Sequence, residues 1–240
     1  HIKADSTYGD TTFIDASPSG HTITSVGVYH HIDDNRTANT ALYFDNYSNI
    51  TFPTHDSWNF GAGDFTIEFW HKAEVWANKD FIQFSSGGAS GGRLAVETTT
   101  TGGFVWGDDN GTSDLSATIL WGTKTTHRWA HIAIVRSANV FYMIFNGVVV
   151  KTATYTGVFT ASTMKIGDGK HWLDGIRITK GMPRYTSGIP VDGKTPHKRY
   201  DDGRSSNVYS NTWATSSTRK YYGINTHTYL QTSEYATNAN

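Results

Sequence analysis

Eleven histidines, 21 acidic side chains and eight tryptophans are the groups in this 240-residue chain that can do chemistry, and their spacing decides which chemistry is open to them. Retaining hydrolysis of a glycosidic bond needs two carboxyl groups about 5 Å apart, one to attack and one to protonate. Glu68 has no such companion on its own stretch, and neither Glu74 nor Glu97 has an acidic residue two or four positions away. Glu68 therefore reads as a solvent-facing or arginine-paired residue. Calcium needs several oxygens converging from loops. Asp108, Asp109 and Asp114, in a run rich in Gly, Asn and Ser, are the candidate ligands, with Asp168 and Asp174 as comparable ones; the same letters also make an ordinary polar turn. No motif requires a cofactor, and calcium is the ion these side chains leave open.

Histidine pairs offer less. In a strand, His30 and His31 point to opposite faces, while His127 and His131 share a face at about 13 Å, too far for one metal ion. No Gly-x-Ser-x-Gly elbow, zinc-binding His-Glu-x-x-His helix or dinucleotide fingerprint occurs, so the expectation is a protein that is not an enzyme. Trp76, Trp106, Trp121 and Trp172 fall near predicted strand ends or loops, where an exposed indole stacks on a sugar ring; they are the glycan-stacking candidates. Trp70 and Trp129 read as core. Asn35, Asn46, Asn49 and Asn110 each open an Asn-x-Ser/Thr triplet and are candidate glycosylation sites.

These groups must be positioned by strands. Only 17% of the residues are charged, 14% are aromatic and 34 are Thr, the composition of pleated, half-buried surfaces. Period-two runs predict twelve strands, at 21–26, 41–44, 49–52, 64–72, 80–85, 93–98, 103–106, 128–136, 140–145, 147–152, 163–166 and 173–180. Asn146-Gly147 between two of them is a two-residue hairpin signal. Twelve short strands in one chain predict an all-β, two-sheet antiparallel sandwich.

A formal net charge of −1 provides no field for nucleic acid, and no apolar run is long enough to insert in a membrane. The absence of Cys excludes disulfides and thiolate metal sites. The first residue is His1 rather than Met, with no charged-then-apolar leader, which suggests a processed N-terminus or a sequence read without its gene start, and export is the expectation drawn from the first of these.

After Pro190 the composition changes. Residues 191–203 read as a linker, and from 204 to 240 the larger aliphatic residues are only Val208, Ile224 and Leu230, too few to enclose a core. Residues 223–232 alternate as an added strand would. The tail is therefore expected to be a polar, strand-forming arm docked on another surface, with Tyr209, Trp213, Tyr221, Tyr222, Ile224, Tyr229 and Leu230 as anchors at a subunit interface.

Within residues 10–190 several blocks run in a familiar order: Ala41-Leu42-Tyr43-Phe44-Asp45, Trp58-Asn59-Phe60-Gly61-Ala62-Gly63-Asp64-Phe65, Trp129-Ala130-His131-Ile132, Phe145-Asn146-Gly147, Lys165-Ile166-Gly167 and Leu173-Asp174-Gly175-Ile176-Arg177-Ile178-Thr179-Lys180. They resemble the laminin-G-like, concanavalin A-like jelly rolls, including copies in phage appendage and bacterial surface proteins. Gly175 stands where those blocks usually carry an acidic residue. The resemblance implies a β-sandwich and a place outside the cytoplasm, on a cell or virion surface, but no activity. The expected organisation is an N-terminal arm (1–9), a jelly roll (10–190), a linker (191–203) and the C-terminal arm (204–240). The leading expectation is an extracellular structural subunit, a homo-oligomer forming a helical filament through that arm; the alternative is a lectin-like module that binds a glycan.

Overall fold

Along residues 65–69 every second side chain, Phe65, Ile67 and Phe69, is a large hydrophobe, and a pleated strand sends such a series to a single face. The computed structural model, which describes residues 1–32, 36, 39–75, 77, 79–85, 94–98, 100, 104–108 and 126–187, realises this pattern as β7 (Phe65–Ala73). Phe65, Ile67, Phe69 and Ala73 turn into the main core, and Trp70 joins a separate cluster on the other face.

Fifteen strands are described: β1 (Ile2–Lys3), β2 (Ile14–Asp15), β3 (Thr24–Val26), β4 (Tyr29–His31), β5 (Ala41–Phe44), β6 (Asn49–Phe52), β7, β8 (Lys79–Ser85), β9 (Leu94–Thr98), β10 (Phe104–Asp108), β11 (Trp129–Ser137), β12 (Val140–Phe145), β13 (Val148–Thr154), β14 (Thr163–Gly167) and β15 (His171–Lys180). One turn of 3₁₀ helix, Asp56–Trp58, is capped by the His55 side chain. All twelve predicted strands are present with ends within a few residues. The three additions, β1, β2 and β4, are two or three residues long.

Two antiparallel sheets result. One has nine strands in the order β13-β12-β11-β7-β15-β1-β2, with β5 also beside β15 and β4 beside β5; the other has six, ordered β10-β9-β8-β14-β6-β3. Between them lies the core, in which Phe44, Phe65, Phe69, Phe81, Phe84, Phe141 and Phe159 are fully buried. Burying each such ring contributes roughly 1.5–3 kcal/mol. β1 lies inside the nine-stranded sheet, and Ile2 and Ala4 belong to the core.

Arg136 closes one end of the core. Its guanidinium donates to the carbonyls of Gly61, Tyr155 and Gly157 and to Asn139 Oδ1 at 2.9–3.3 Å, and it lies 5.6–5.8 Å from the Phe141 and Phe159 rings. Four acceptors on the terminal nitrogens offset most of the cost of burying this cation, although its Nε–H finds no acceptor among the described residues.

Register on β15 depends on a bulge. Asp174 pairs with Trp70 of β7 and Arg177 with Glu68, so an extra residue is accommodated between them. Gly175, at φ +57°, sits in that irregularity, in a backbone region that side chains with a Cβ disfavour. The bulge keeps Asp174 and Arg177 on one face while Leu173 and Ile176 enter the core.

Candidate binding face

Antiparallel pairing places residues of distant sequence side by side, and on the outer face of the nine-stranded sheet it builds one continuous row. Trp129 of β11 stands opposite Lys72 of β7, Lys72 opposite Trp172 of β15, Trp172 opposite Tyr43 of β5, and Tyr43 opposite Tyr29 of β4. At about 4.8 Å per strand, five neighbours span roughly 19 Å.

Adjacent rings in the row touch. Trp172 and Tyr43 have centroids 5.0 Å apart, and Tyr43 and Tyr29 5.3 Å. His31 joins at 6.0 Å from both tyrosines, and Tyr8 packs edge-on against Tyr29 and His31 at 6.2 and 5.5 Å. The Lys72 ammonium lies 4.2 Å from the Trp172 ring centroid and 5.4 Å from that of Trp129. Exposure grades along the row: Trp129 and Trp172 are buried, Tyr43 and Tyr29 half-buried, and Tyr8 is 60% exposed.

Acidic and basic groups flank the open end. The Tyr43 hydroxyl donates to Glu74 Oε2 at 2.7 Å, and Lys170 Nζ lies 3.8 Å from Glu74 Oε1. Burial first, and the Glu74 carboxylate next, push the Tyr43 hydroxyl well above the usual phenol range, so it stays a donor. Rings with a carboxylate and an ammonium at their rim are the parts from which sugar sites are made: apolar faces for ring C–H groups, polar atoms for hydroxyls.

The next rows hold charge. His131, Trp70 and Asp174 form one, and Ala133, Glu68 and Arg177 the other. Glu68 is fully buried; Arg177 donates to its Oε1, the Tyr185 hydroxyl to Oε2 at 3.1 Å, and His131 Nε2 stands 3.6 Å from Oε2. Of the two sequence readings of Glu68, the arginine pair is the one realised. Burial, followed by the Glu68 charge, pushes the Tyr185 hydroxyl above the usual phenol range, and it remains protonated to donate. Residues 182–185 strap this end of the face: Thr66 Oγ1 donates to Met182 O, and Arg184 N donates back to Thr66 Oγ1. Asp174 is buried and accepts from the Arg36 backbone N–H at 2.6 Å, with the Arg36 guanidinium 5.6 Å from the Trp70 ring.

Trp172 thus belongs to the row, 8% exposed beneath Lys72. Trp70 and Trp129 are buried as expected, though on this outer face rather than between the sheets. Trp106 lies in β10 opposite Val96, and Asp108 ends that strand opposite Leu94. Asn46 is exposed in a turn, and Asn49 is half-buried in β6. Asp168 pairs with Lys165 Nζ at 2.6 Å. Trp76, Trp121, Asp109, Asp114, Asn35, Asn110 and the tail anchors Tyr209, Trp213, Tyr221, Tyr222, Ile224, Tyr229 and Leu230 lie outside the described residues. Among the described residues no three His, Asp or Glu side chains converge as a metal cage, and no helix is long and apolar enough to cross a membrane.

Sequence reading missed Tyr8, Tyr29, His31, Tyr43 and Lys72 as a group. Each falls in a short run whose partners are remote in the chain, and only strand order joins them.

Comparison with known proteins places the fold. The family described as the Concanavalin A-like lectin/glucanases superfamily matches residues 44–181. A search of the curated proteins finds no match. Among solved structures, similar folds occur in the binding domain of botulinum neurotoxin DC in complex with SialylT (TM-score 0.56, 15% identity, 75% of this chain and 47% of that one). Others are the binding domain of Paraclostridial Mosquitocidal Protein 1 (0.55, 15%, 73% and 48%) and that of botulinum neurotoxin serotype C1 (0.57, 12%, 75% and 48%). The chain spans about half the length of each, and at these identities the likeness is one of fold.

Proposed function

The chain belongs to the concanavalin A-like lectin/glucanases superfamily, and from that premise we propose that it is a non-enzymatic recognition module holding a carbohydrate on the open end of its outer aromatic row. The observation that carries this reading is the in-register row from Trp129 to Tyr29, continued by Tyr8 and edged by Glu74 and Lys170. The buried end gives the exposed rings a rigid backing, so little side-chain freedom is lost on binding. Glu68 and Asp174, the carboxylates on the same face, are engaged by Arg177, Tyr185 and the Arg36 backbone, which favours a structural role for them over acid–base chemistry. A surface-exposed glycan reader works outside the cell, at a cell or virion surface.

A glycan array probed with the full chain is expected to return a restricted set of sugars. Tyr8→Ala and Tyr29→Ala should each weaken that binding by about tenfold, the loss expected when a ring contact worth about 1.4 kcal/mol is removed. Unchanged affinity in both variants, with unchanged melting temperature, would overturn the reading.

A second reading has its own support. β13 ends the nine-stranded sheet, pairs only with β12 among the described residues, and exposes Val148 and Val150. An apolar sheet edge accepts an added strand. We propose that the arm at 204–240, tethered by the linker at 191–203, fills such an edge on a neighbouring copy, so that glycan-binding jelly rolls are strung into a homo-oligomeric filament. We likewise propose calcium at Asp108, Asp109 and Asp114, glycan stacking at Trp76, Trp106 and Trp121, and glycosylation at Asn35, Asn46, Asn49 and Asn110.

A further inference from the structure

On the side of the sandwich where β2 ends one sheet and β3 the other, the packing between the sheets leaves a gap. Ile2 of β1 stands opposite Ile176 of β15, and Phe52 of β6 opposite Met164 of β14. These two cross-strand pairs, one from each sheet, wall an open cleft of about 170 Å³, with Ile178 further along β15 and the Trp58 ring beside Phe52 at 5.2 Å. The Trp58 indole N–H is spent on Pro53 O at 3.1 Å, so its ring offers the cleft only apolar surface.

Most polar groups at the mouth have already taken one another. Asp15 accepts from the Ser17 amide and hydroxyl and from the His21 amide and Nδ1–H, at 2.6–3.1 Å. Burial raises the proton affinity of this carboxyl, but donation from Ser17 and His21 outweighs it and holds the group below the usual carboxylate range, its charge spread over four donors. Ser57 donates its backbone N–H to His55 Nδ1 at 3.1 Å, and its hydroxyl lies 3.2 Å from His21 Nε2, which meets His55 Nδ1 at 3.3 Å. Lys180 differs. Its ammonium carries three hydrogens, of which Asp56 O takes one at 2.8 Å. Two donors and a positive charge are left on an exposed side chain at the mouth of an apolar cleft.

We propose that this cleft binds a small amphipathic carboxylate, its apolar group of about six carbons lying between the sheets and its carboxylate at Lys180. Volume sets the length, because an apolar cavity of about 150 Å³ takes up benzene, a six-carbon guest. The walls set the chemistry: water held against them has few partners, and an apolar group that displaces it gains affinity. The ammonium sets the polarity of the free end. The cleft shares no residue with the aromatic row, so its test is separate from that of glycan recognition.

That test is titration of the full chain with straight-chain carboxylates, followed through the methyl signals of its three methionines. Met164 lines the cleft, whereas Met143 is buried elsewhere in the core and Met182 is exposed. Heptanoate is expected to shift Met164 saturably and to leave the other two in place. From butanoate to heptanoate each added carbon should tighten binding by about fourfold, the equivalent of about 0.8 kcal/mol per buried CH₂, and longer chains should bring no further gain. Lys180→Gln, at an exposed position, should weaken heptanoate by about fivefold and leave heptanol unchanged. A Met164 signal that heptanoate does not move, an affinity that keeps climbing by the same factor to decanoate, or a heptanoate affinity unchanged in Lys180→Gln would overturn the site.

Discussion

At the scale of single residues, the most costly placements are two histidines inside the core. His71 and His171 lie tilted 5.4 Å apart between the sheets, beside Phe81, and His171 stacks on Phe44 at 4.9 Å. Burial pushes the His171 ring down to about 3, and burial followed by the proximity of His171 pushes His71 well below the ordinary histidine range. Both rings are therefore neutral in the folded protein, whereas in the unfolded chain they take up protons below about 6.5. The unfolded state binds more protons throughout that window, so stability is full above about pH 6.5 and falls as the pH drops toward 3. His171 should remove roughly 1.4 kcal/mol per pH unit across that window, and His71 adds a loss in the same direction. Urea denaturation at pH 7.5, 5.5 and 4.5 measures this, and His171→Phe, which keeps a ring against Phe44, should reduce the slope. A pH-independent midpoint would contradict it. Below about pH 4 a second loss begins, because the depressed Asp15 carboxyl stabilises only while it is ionised.

Elements depend on turns whose demands differ in how visibly they are written. Asn146 and Gly147, at φ +47° and +86°, join β12 to β13, and the dipeptide announces itself because both residues tolerate that region. Ala138 and Asn139, at +47° and +69°, make the same kind of turn between β11 and β12, yet alanine carries no such signal. That turn is held from outside, by Asp64 Oδ1 accepting from Ala138 N–H and by Asn139 Oδ1 accepting from Arg136, both at 2.9 Å. Ala138→Gly should therefore stabilise by about 0.5–1 kcal/mol, left-handed strain being relieved by more than the added chain entropy costs. Gly167→Ala should act in the opposite sense and cost more than about 2 kcal/mol. Its Cβ would meet Ser48 O at 2.5 Å and Asn49 Cα at 2.7 Å, forcing β14 away from β6. Urea midpoints of the two variants check both. The same contrast explains what was legible in the sequence. Twelve strands could be read because each carries its own alternation, whereas β1, β2 and β4 are too short to show a period and exist through partners such as Ile176, Ile14 and Tyr43. Glu68 could be read as arginine-paired because its face was evident from Phe65, Ile67 and Phe69. The aromatic row and the His21–His55 contact could not, because cross-strand neighbours and loop encounters leave no local pattern.

For the molecule as a whole, the main question is where assembly would reside. Among the described residues every member of the main core lies between Ile2 and Ile178, and β15 ties β7, β5 and β1 into one sheet. The described sandwich encloses a core of its own, and the arm at 204–240 is proposed to contribute to association rather than to folding. Two consequences can be separated experimentally. A chain ending at residue 203 should unfold at the melting temperature of the full chain, within the few degrees that about 1 kcal/mol represents in a domain of this size. It should also keep its glycan affinity, since Tyr8, Tyr29, Tyr43 and Trp172 all precede the cut. Its sedimentation, by contrast, should change: if the arm adds to β13 of a neighbouring copy, the contact is head-to-tail, and repeating it without closure gives particles that grow with concentration. The truncated chain should then sediment as a monomer at concentrations where the full chain forms filaments. A charge on the open edge, Val150→Lys, should reproduce that loss in the full chain without altering its melting temperature, because Val150 is already exposed. Filaments that survive both changes, or a full chain that is monomeric at every concentration, would assign the arm to its own sandwich and leave recognition by the aromatic row as the activity of a single copy.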